Sequence, residues 1–141
     1  MLEKFPRILL LAILIFSPLI VYSKSQFTPP NKCPSIHLIQ SVGLQEINEV
    51  TKGTYYGRNT SYYDTNGEWV FMIGYFHASS MADALAQSKN ALIQMSGNPV
   101  PMEDTRQGGY QFDWICTYQT HSDLTAAAGQ WDLDLTSRTG K

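Results

Sequence analysis

Basic residues are few in this sequence, and they are nowhere clustered. There are 10 Lys and Arg residues against 12 Asp and Glu residues, and the formal net charge is −2. A protein that binds nucleic acid needs Lys and Arg grouped on one surface, because these side chains neutralise the phosphates. The sequence therefore predicts no nucleic-acid partner.

Motifs of common catalytic and metal sites are missing as well. The sequence contains no Gly-x-Ser-x-Gly, no His-Glu-x-x-His and no Cys-x-x-Cys. His121, Ser122 and Asp123 have the residue types of a hydrolytic triad, but adjacent residues cannot face one another in the required relay. A carboxylate pair for glycoside hydrolysis stays open, although nothing favours it. We predict no catalytic residue, no metal site and a protein that is not an enzyme.

Cysteine is scarce, and both cysteines follow the first two dozen residues. Cys33 and Cys116 are the only two. An even number of cysteines in an exported protein predicts a disulfide, here between these two residues. Two reduced thiols are the alternative, and a free Cys33 before Pro34 would offer haem a thiolate. The missing Cys-x-x-Cys-His motif excludes covalent c-type haem.

Long apolar runs are absent except at the N-terminus. Lys4 and Arg7 precede an apolar run over residues 8–22, interrupted only by Ser17 and Pro18. This pattern is typical of a secretory signal peptide, and the run is short for a membrane anchor. We predict a signal peptide over residues 1–23, a secreted or periplasmic protein, and no integral membrane span after cleavage. An uncleaved anchor is the alternative.

The remaining chain reads as one α+β domain. We expect an extended lead-in over 24–32, the domain over 33–119 and a C-terminal tail over 120–141 that holds a candidate edge strand at 131–135. The expected domain is a small antiparallel sheet of about four strands packed against one long helix, with a short N-terminal helix.

Three segments carry this prediction. Residues 68–77 are β-rich and apolar on both faces, as in a covered central strand, and they follow an Asn-Gly turn signal at 66–67. Ser79 or Ser80 begins a helix whose apolar residues recur at helical spacing up to Met95. Residues 110–119 alternate, which places the aromatic residues from Tyr110 to Tyr118 on one face.

Several of these segments resemble a known family. The stretch 33–44 (CPSIHLIQSVGL) is similar to the start of small exported Legionella-type proteins, and Trp69–Gly74 and Trp114–Tyr118 follow in the same order. The family is mostly of unknown function and includes a haemin-binding protein. The resemblance implies haem or haemin as a ligand, but it provides no ligand motif that transfers residue by residue.

The sequence offers some candidates for such a ligand site. Tyr75 and His77 are two apart on one strand and should face the same side, and Met81 follows at the helix start. The tyrosine pairs that begin at Tyr55 and Tyr62 are suited to stacking on a flat ligand. Each candidate also has an ordinary structural interpretation. His77 can be an exposed residue at the end of a strand, Met81 can fill space in the core, and the tyrosine pairs can be strand residues that serve packing alone.

Two functions of different classes follow. The first is a small exported binding protein for haemin. The second is a secreted protein-protein interaction module, a virulence or envelope factor, that uses the exposed sheet face and the loop 98–109.

Overall fold

The computed structural model describes residues 29–106 and 112–131. The predicted signal peptide and most of the lead-in lie outside these residues, as does the candidate edge strand beyond Trp131. The described part contains two helices and six strands. In chain order they are α1 (Ile36–Val42), β1 (Glu46–Thr51), β2 (Thr54–Ser61), β3 (Trp69–His77), α2 (Met81–Ile93), β4 (Met102–Glu103), β5 (Trp114–Tyr118) and β6 (Thr125–Gln130).

All six strands form one antiparallel sheet in the order β1-β2-β3-β6-β5-β4. The predicted α+β class and antiparallel sheet are confirmed. The expectation of about four strands packed against one long helix is not matched, because the sheet has six strands and is covered by α2 together with the short N-terminal helix α1. The additional strands are the two-residue β4, in a segment rich in turn residues, and β6.

Strand β6 lies within the segment expected to be a tail. Its sequence Thr-Ala-Ala-Ala-Gly-Gln lacks the branched and aromatic residues that favour strands. It nevertheless lies between β3 and β5, where Ala126 and Ala128 are buried under the helices. Small side chains suit this position because bulky neighbours on both sides already fill the space. The folded domain therefore continues past residue 119.

The hairpin between β2 and β3 is longer than the Asn-Gly signal suggests. Ser61 pairs with Trp69, so residues 62–68 form the connection. Thr65 Oγ1 donates to the carbonyl of Tyr62 at 2.8 Å and to that of Gly67 at 2.9 Å. Residues 59–61, which resemble a turn in the sequence, belong to β2 instead.

Both helices pack on one face of the sheet. Trp69, Phe71 and Ile73 of β3 point to this face and are fully buried against Ala91 and Leu92 of α2. Helix α2 begins at the N-cap Ser80, whose hydroxyl accepts from Asp83 N at 3.2 Å. Neither of the two described helices lies on the opposite face of the sheet.

The predicted disulfide is confirmed. Cys33 and Cys116 are bonded, with their Cα atoms 5.9 Å apart, and neither cysteine is free. The bond joins the segment before α1 to β5. Tyr118 strengthens this connection because its hydroxyl donates to the carbonyl of Pro34 at 2.8 Å. The alternative of two reduced thiols, with Cys33 as a haem thiolate, is therefore wrong for this structure.

Within the described ranges, neither helix is long and apolar enough to cross a membrane.

Candidate functional site

The structure separates the five residues that the sequence suggested as ligands. Tyr75 and His77 are exposed near the end of β3, and Tyr75 has 61% of its surface accessible. Tyr55 is 7% exposed and belongs to the core. Met81 and Tyr62 are exposed, and neither lines the two described cavities to which Tyr75 belongs. The structure thus brings together only Tyr75 and His77.

Tyr75 lies between two cavities, and we call the first the sheet-face groove. It lies on the face of the sheet opposite the helices and has a volume of about 430 Å³. This volume is within the range of small-molecule pockets. The lining is mostly apolar, and it consists of Val50, Tyr56, Met72, Ile73, Gly74, Tyr75, Arg106, Phe112, Ile115, Thr125, Ala127 and Gly129.

Small residues form the floor of the sheet-face groove. Gly74 lies against Tyr56, where an added Cβ would come 2.9 Å from the Tyr56 Cβ. Gly129 lies under the ring of Phe112, and any side chain there would collide with that ring. Ala127, which pairs with Met72, adds only a methyl group. The centre of the groove is therefore open, because the residues that form its floor have almost no side chains.

Aromatic rings form the walls of the groove. Tyr56 and Tyr75 contact each other edge to face, with ring centroids 6.4 Å apart. On the other side, the Phe112 ring lies 4.7 Å from the ring of Trp131. Flat aromatic walls around an apolar floor suit a flat and largely apolar ligand.

Phe112 does not lie where the alternation predicts. The sequence places it on the same face as Cys116 and Tyr118, but it lines the opposite face. The reason is that β5 begins only at Trp114. The backbone of Asp113 and Phe112 instead bonds to other partners, including Gln130 O and the Asp104 carboxylate.

Asp104 holds this end of the groove together. Its side chain is only 1% exposed, and its oxygens accept from Arg106 Nε at 2.8 Å, from Arg106 Nη2 at 2.7 Å and from Phe112 N at 3.2 Å. The bonds from Arg106 are the main cause that lowers the pKa of Asp104 to about 2, with Phe112 N adding to them. The carboxylate thus fixes both the aromatic wall and the cationic residue of the groove.

The second cavity is a cleft between α2 and the turn that joins β5 to β6, and we call it the hairpin cleft. Its volume is about 670 Å³. Unlike the sheet-face groove, it is lined by many polar side chains. Its lining consists of Tyr75, Phe76, His77, Gln87, Asn90, Ala91, Gln94, Ser122, Asp123 and Leu124.

His77 belongs to the hairpin cleft and does not line the sheet-face groove. Its Nδ1 lies 3.4 Å from Thr54 Oγ1, and its carbonyl accepts from Gln87 Nε2 at 3.1 Å. The two sequence candidates therefore both line the hairpin cleft, but only Tyr75 also lines the sheet-face groove. Among the residues with described positions, no group of three or more His, Cys, Asp or Glu residues could hold a metal ion.

Sequence reasoning missed most of the groove. Ala127 and Gly129 give no ligand signal, and Arg106 lies in a segment that reads as a loop. Asp104 reads as a solvated acid, although it is buried. The only available signal was the presence of Gly74 and Gly129 within strands, since glycine inside a strand often marks the close approach of another group.

Comparison with known proteins gives one match. Neither the curated proteins nor the solved structures include a match to this chain. The match is to a family described as a domain of unknown function, DUF4949, over residues 32–137. It includes every described helix and strand and does not carry the haemin label that the sequence resemblance suggested. The chain therefore belongs to the DUF4949 family.

Proposed function

We propose that this protein is a non-enzymatic binding protein that holds a flat, largely apolar molecule in the sheet-face groove, and that the ligand is haemin. The observation that carries the proposal is the groove itself, an apolar floor of small residues between aromatic walls. Haemin is chosen among flat ligands because the sequence resembles a family that includes a haemin-binding protein. An exported protein would meet haemin outside the cytoplasm.

The residues of the groove fit the chemical parts of haemin. The porphyrin ring is apolar and flat, like the surface between Tyr56 and Phe112. Tyrosine is an established haem ligand, so the hydroxyl of Tyr75 is the group that would hold the iron. Arg106 is the one cationic residue in the described lining, and a guanidinium is suited to the carboxylates of haemin.

Tyr75 is a better candidate than the other residues that the sequence suggested. Tyr55 is buried under the helices, and Tyr62 and Met81 lie outside the groove. His77 lies in the hairpin cleft, which is more polar and offers haemin less apolar surface. The proposal therefore assigns the iron to Tyr75 and makes His77 the alternative.

A haemin titration of the purified protein tests the proposal. We expect a Soret shift that saturates at one equivalent, because the sheet-face groove would hold a single haemin. Tyr75→Phe keeps the ring and removes the hydroxyl, so it should change the Soret position and weaken binding at least about tenfold. Tyr62→Phe is the matched control, because this exposed tyrosine lies outside the groove.

Two results would overturn the assignment. Adsorption of haemin that never saturates would remove the binding function itself. A saturating titration that Tyr75→Phe leaves unchanged and His77→Ala abolishes would move the site to the hairpin cleft.

A protein-protein interaction module is the second candidate function. Val100 and Met102 are exposed apolar residues beside the short edge strand β4. Exposed apolar residues at a sheet edge can meet another protein. Two results together would favour this candidate. The natural protein would not bind haemin, and the variant Val100→Asp/Met102→Asp would lose a specific protein partner that the natural protein binds.

A further inference from the structure

We propose that the hairpin cleft is a binding site for a neutral saccharide. This inference does not depend on haemin, because the hairpin cleft and the sheet-face groove share only Tyr75 among their lining residues. It rests on three features of the cleft: the chemistry of its lining, the bonds that hold its walls in place, and the exposed ring at its edge.

The polar groups of the hairpin cleft are mainly neutral. Gln87, Asn90 and Gln94 lie at helical spacing on one side of α2, and Ser122 faces them from the β5–β6 turn. An amide offers both a donor and an acceptor, and a hydroxyl offers the same. Sugar hydroxyls also donate and accept, so these groups are suited to bind them.

The charges in the cleft argue against an anionic ligand. Its described lining contains no Lys and no Arg, and it contains one carboxylate, Asp123. A phosphate or carboxylate ligand would find no Lys or Arg partner in this lining and would meet the like charge of Asp123. A carboxylate is, however, a strong acceptor for the hydroxyls of a neutral sugar.

Hydrogen bonds fix the side of the cleft formed by α2. Gln87 Nε2 donates to the carbonyl of His77 at 3.1 Å and to Asp83 Oδ1 at 3.3 Å, so its orientation is set and its carbonyl oxygen is left to accept. Gln94 Nε2 donates to Asn90 Oδ1 at 3.4 Å, which leaves the Asn90 amide nitrogen to donate. Groups that are held before binding lose less entropy when a ligand arrives.

The opposite side, formed by the turn, is also fixed. Thr120 Oγ1 donates to the carbonyls of Ser122 at 2.7 Å and Leu124 at 2.9 Å. His121 Nδ1 donates to the carbonyl of Gln94 at 2.8 Å and thereby ties the turn to the end of α2. The bond from His121 therefore joins the two sides of the cleft directly.

Tyr75 supplies an aromatic surface at the edge of the cleft. The residue is 61% exposed, although it lies within β3, where most residues are buried. The face of an aromatic ring carries partial negative charge and attracts the C–H groups that line one face of a pyranose. An exposed ring can therefore bind the apolar face of a sugar, while the oriented amides beside it bind the hydroxyls.

The test uses a titration followed by ¹H–¹⁵N NMR. The probes are the methyl glycosides of glucose, mannose, galactose and N-acetylglucosamine. The side-chain NH₂ signals of Gln87, Asn90 and Gln94 report on the cleft directly. We expect saturating shifts of these signals at millimolar sugar for at least one probe.

Variants separate this site from the groove. Asn90→Ala should weaken sugar binding at least about tenfold, and alanine favours the helix, so the variant should fold. Tyr75→Ala should weaken it as well, whereas Tyr75→Phe should keep sugar binding while it impairs haemin binding. Gln45→Ala is the matched control, because this exposed amide lies outside the cleft.

Three outcomes would overturn the inference. The first is that no probe produces saturating shifts of the cleft amides. The second is that Asn90→Ala leaves the shifts unchanged. The third is that glucose 6-phosphate binds more tightly than methyl glucoside, which would contradict the argument from charge.

Discussion

Removal of the disulfide should cost this domain a large part of its stability. The bond joins residues 83 positions apart. In the unfolded chain it closes a long loop, and the loss of entropy in that loop favours the folded state. The chain-entropy relation for a loop of this length gives about 4.5 kcal/mol at 25 °C.

This magnitude is large beside the stability of a small domain, about 5–15 kcal/mol. The variant Cys33→Ala/Cys116→Ala should therefore remain folded but unfold at much lower urea. The remaining bonds of the α1 segment, from Tyr118 to Pro34 and from Ser35 N to Asp64 Oδ1, keep it attached to the sheet. Cys116 is fully buried, and alanine leaves only a small space in its place.

Urea unfolding followed by tryptophan fluorescence, to which the buried Trp69 contributes, measures the effect. Linear extrapolation of the unfolding free energy to zero urea gives the stability in water for both proteins. The single variant Cys33→Ala should lose about as much as the double variant, because either change breaks the same bond. A loss below about 1 kcal/mol would refute the reasoning, since the loop would then contribute little.

Three further predictions follow from the structure. The folded pKa of Asp104, about 2, lies below its ordinary 3.8, so its contribution to stability is present above 3.8 and is lost as the pH falls toward about 2. Asp104→Asn should weaken this acid dependence of the urea midpoint, and an unchanged dependence would contradict the prediction. Ala127→Phe should fill the floor of the sheet-face groove and abolish the Soret shift without affecting sugar binding; full haemin affinity in the folded variant would argue against the groove. Ser80→Ala should cost about 1 kcal/mol in urea unfolding, because Asp83 N loses its acceptor; an unchanged midpoint would show that the cap is dispensable.

Local patterns predicted much of the secondary structure. The run of apolar residues over 68–77 became β3, and Ser80 caps α2 as its sequence indicates. The stripe of α2 is buried from Ala84 to Met95, but Met81 at its start is exposed. The reason is that the first turn of α2 extends beyond the edge of the core. Helical spacing shows which residues share a face of the helix, but it does not show whether another part of the protein covers that face.

The candidate site was far less predictable. Tyr75 and His77 were found because they lie close together in the sequence. Phe112, Arg106 and Asp104 come from a different part of the chain and reach the groove only through the pairing of β4, β5 and β6. In the sequence, Tyr55 and Tyr56 were equally good candidates for stacking on a ligand. In the structure, Tyr55 is buried, while Tyr56 lines the groove.

The sequence by itself determined the elements that depend on near neighbours: the strand β3, the cap and stripe of α2, and a pair of cysteines suited to one bond. Each follows from periodicity, capping chemistry or counting, which need no knowledge of distant residues. Only the tertiary structure decided that an alanine-rich segment becomes a central strand. It also decided that small residues from β3 and β6 meet to form a groove. These outcomes depend on which side chains surround a residue across the sheet, and strand pairing between distant segments sets those neighbours.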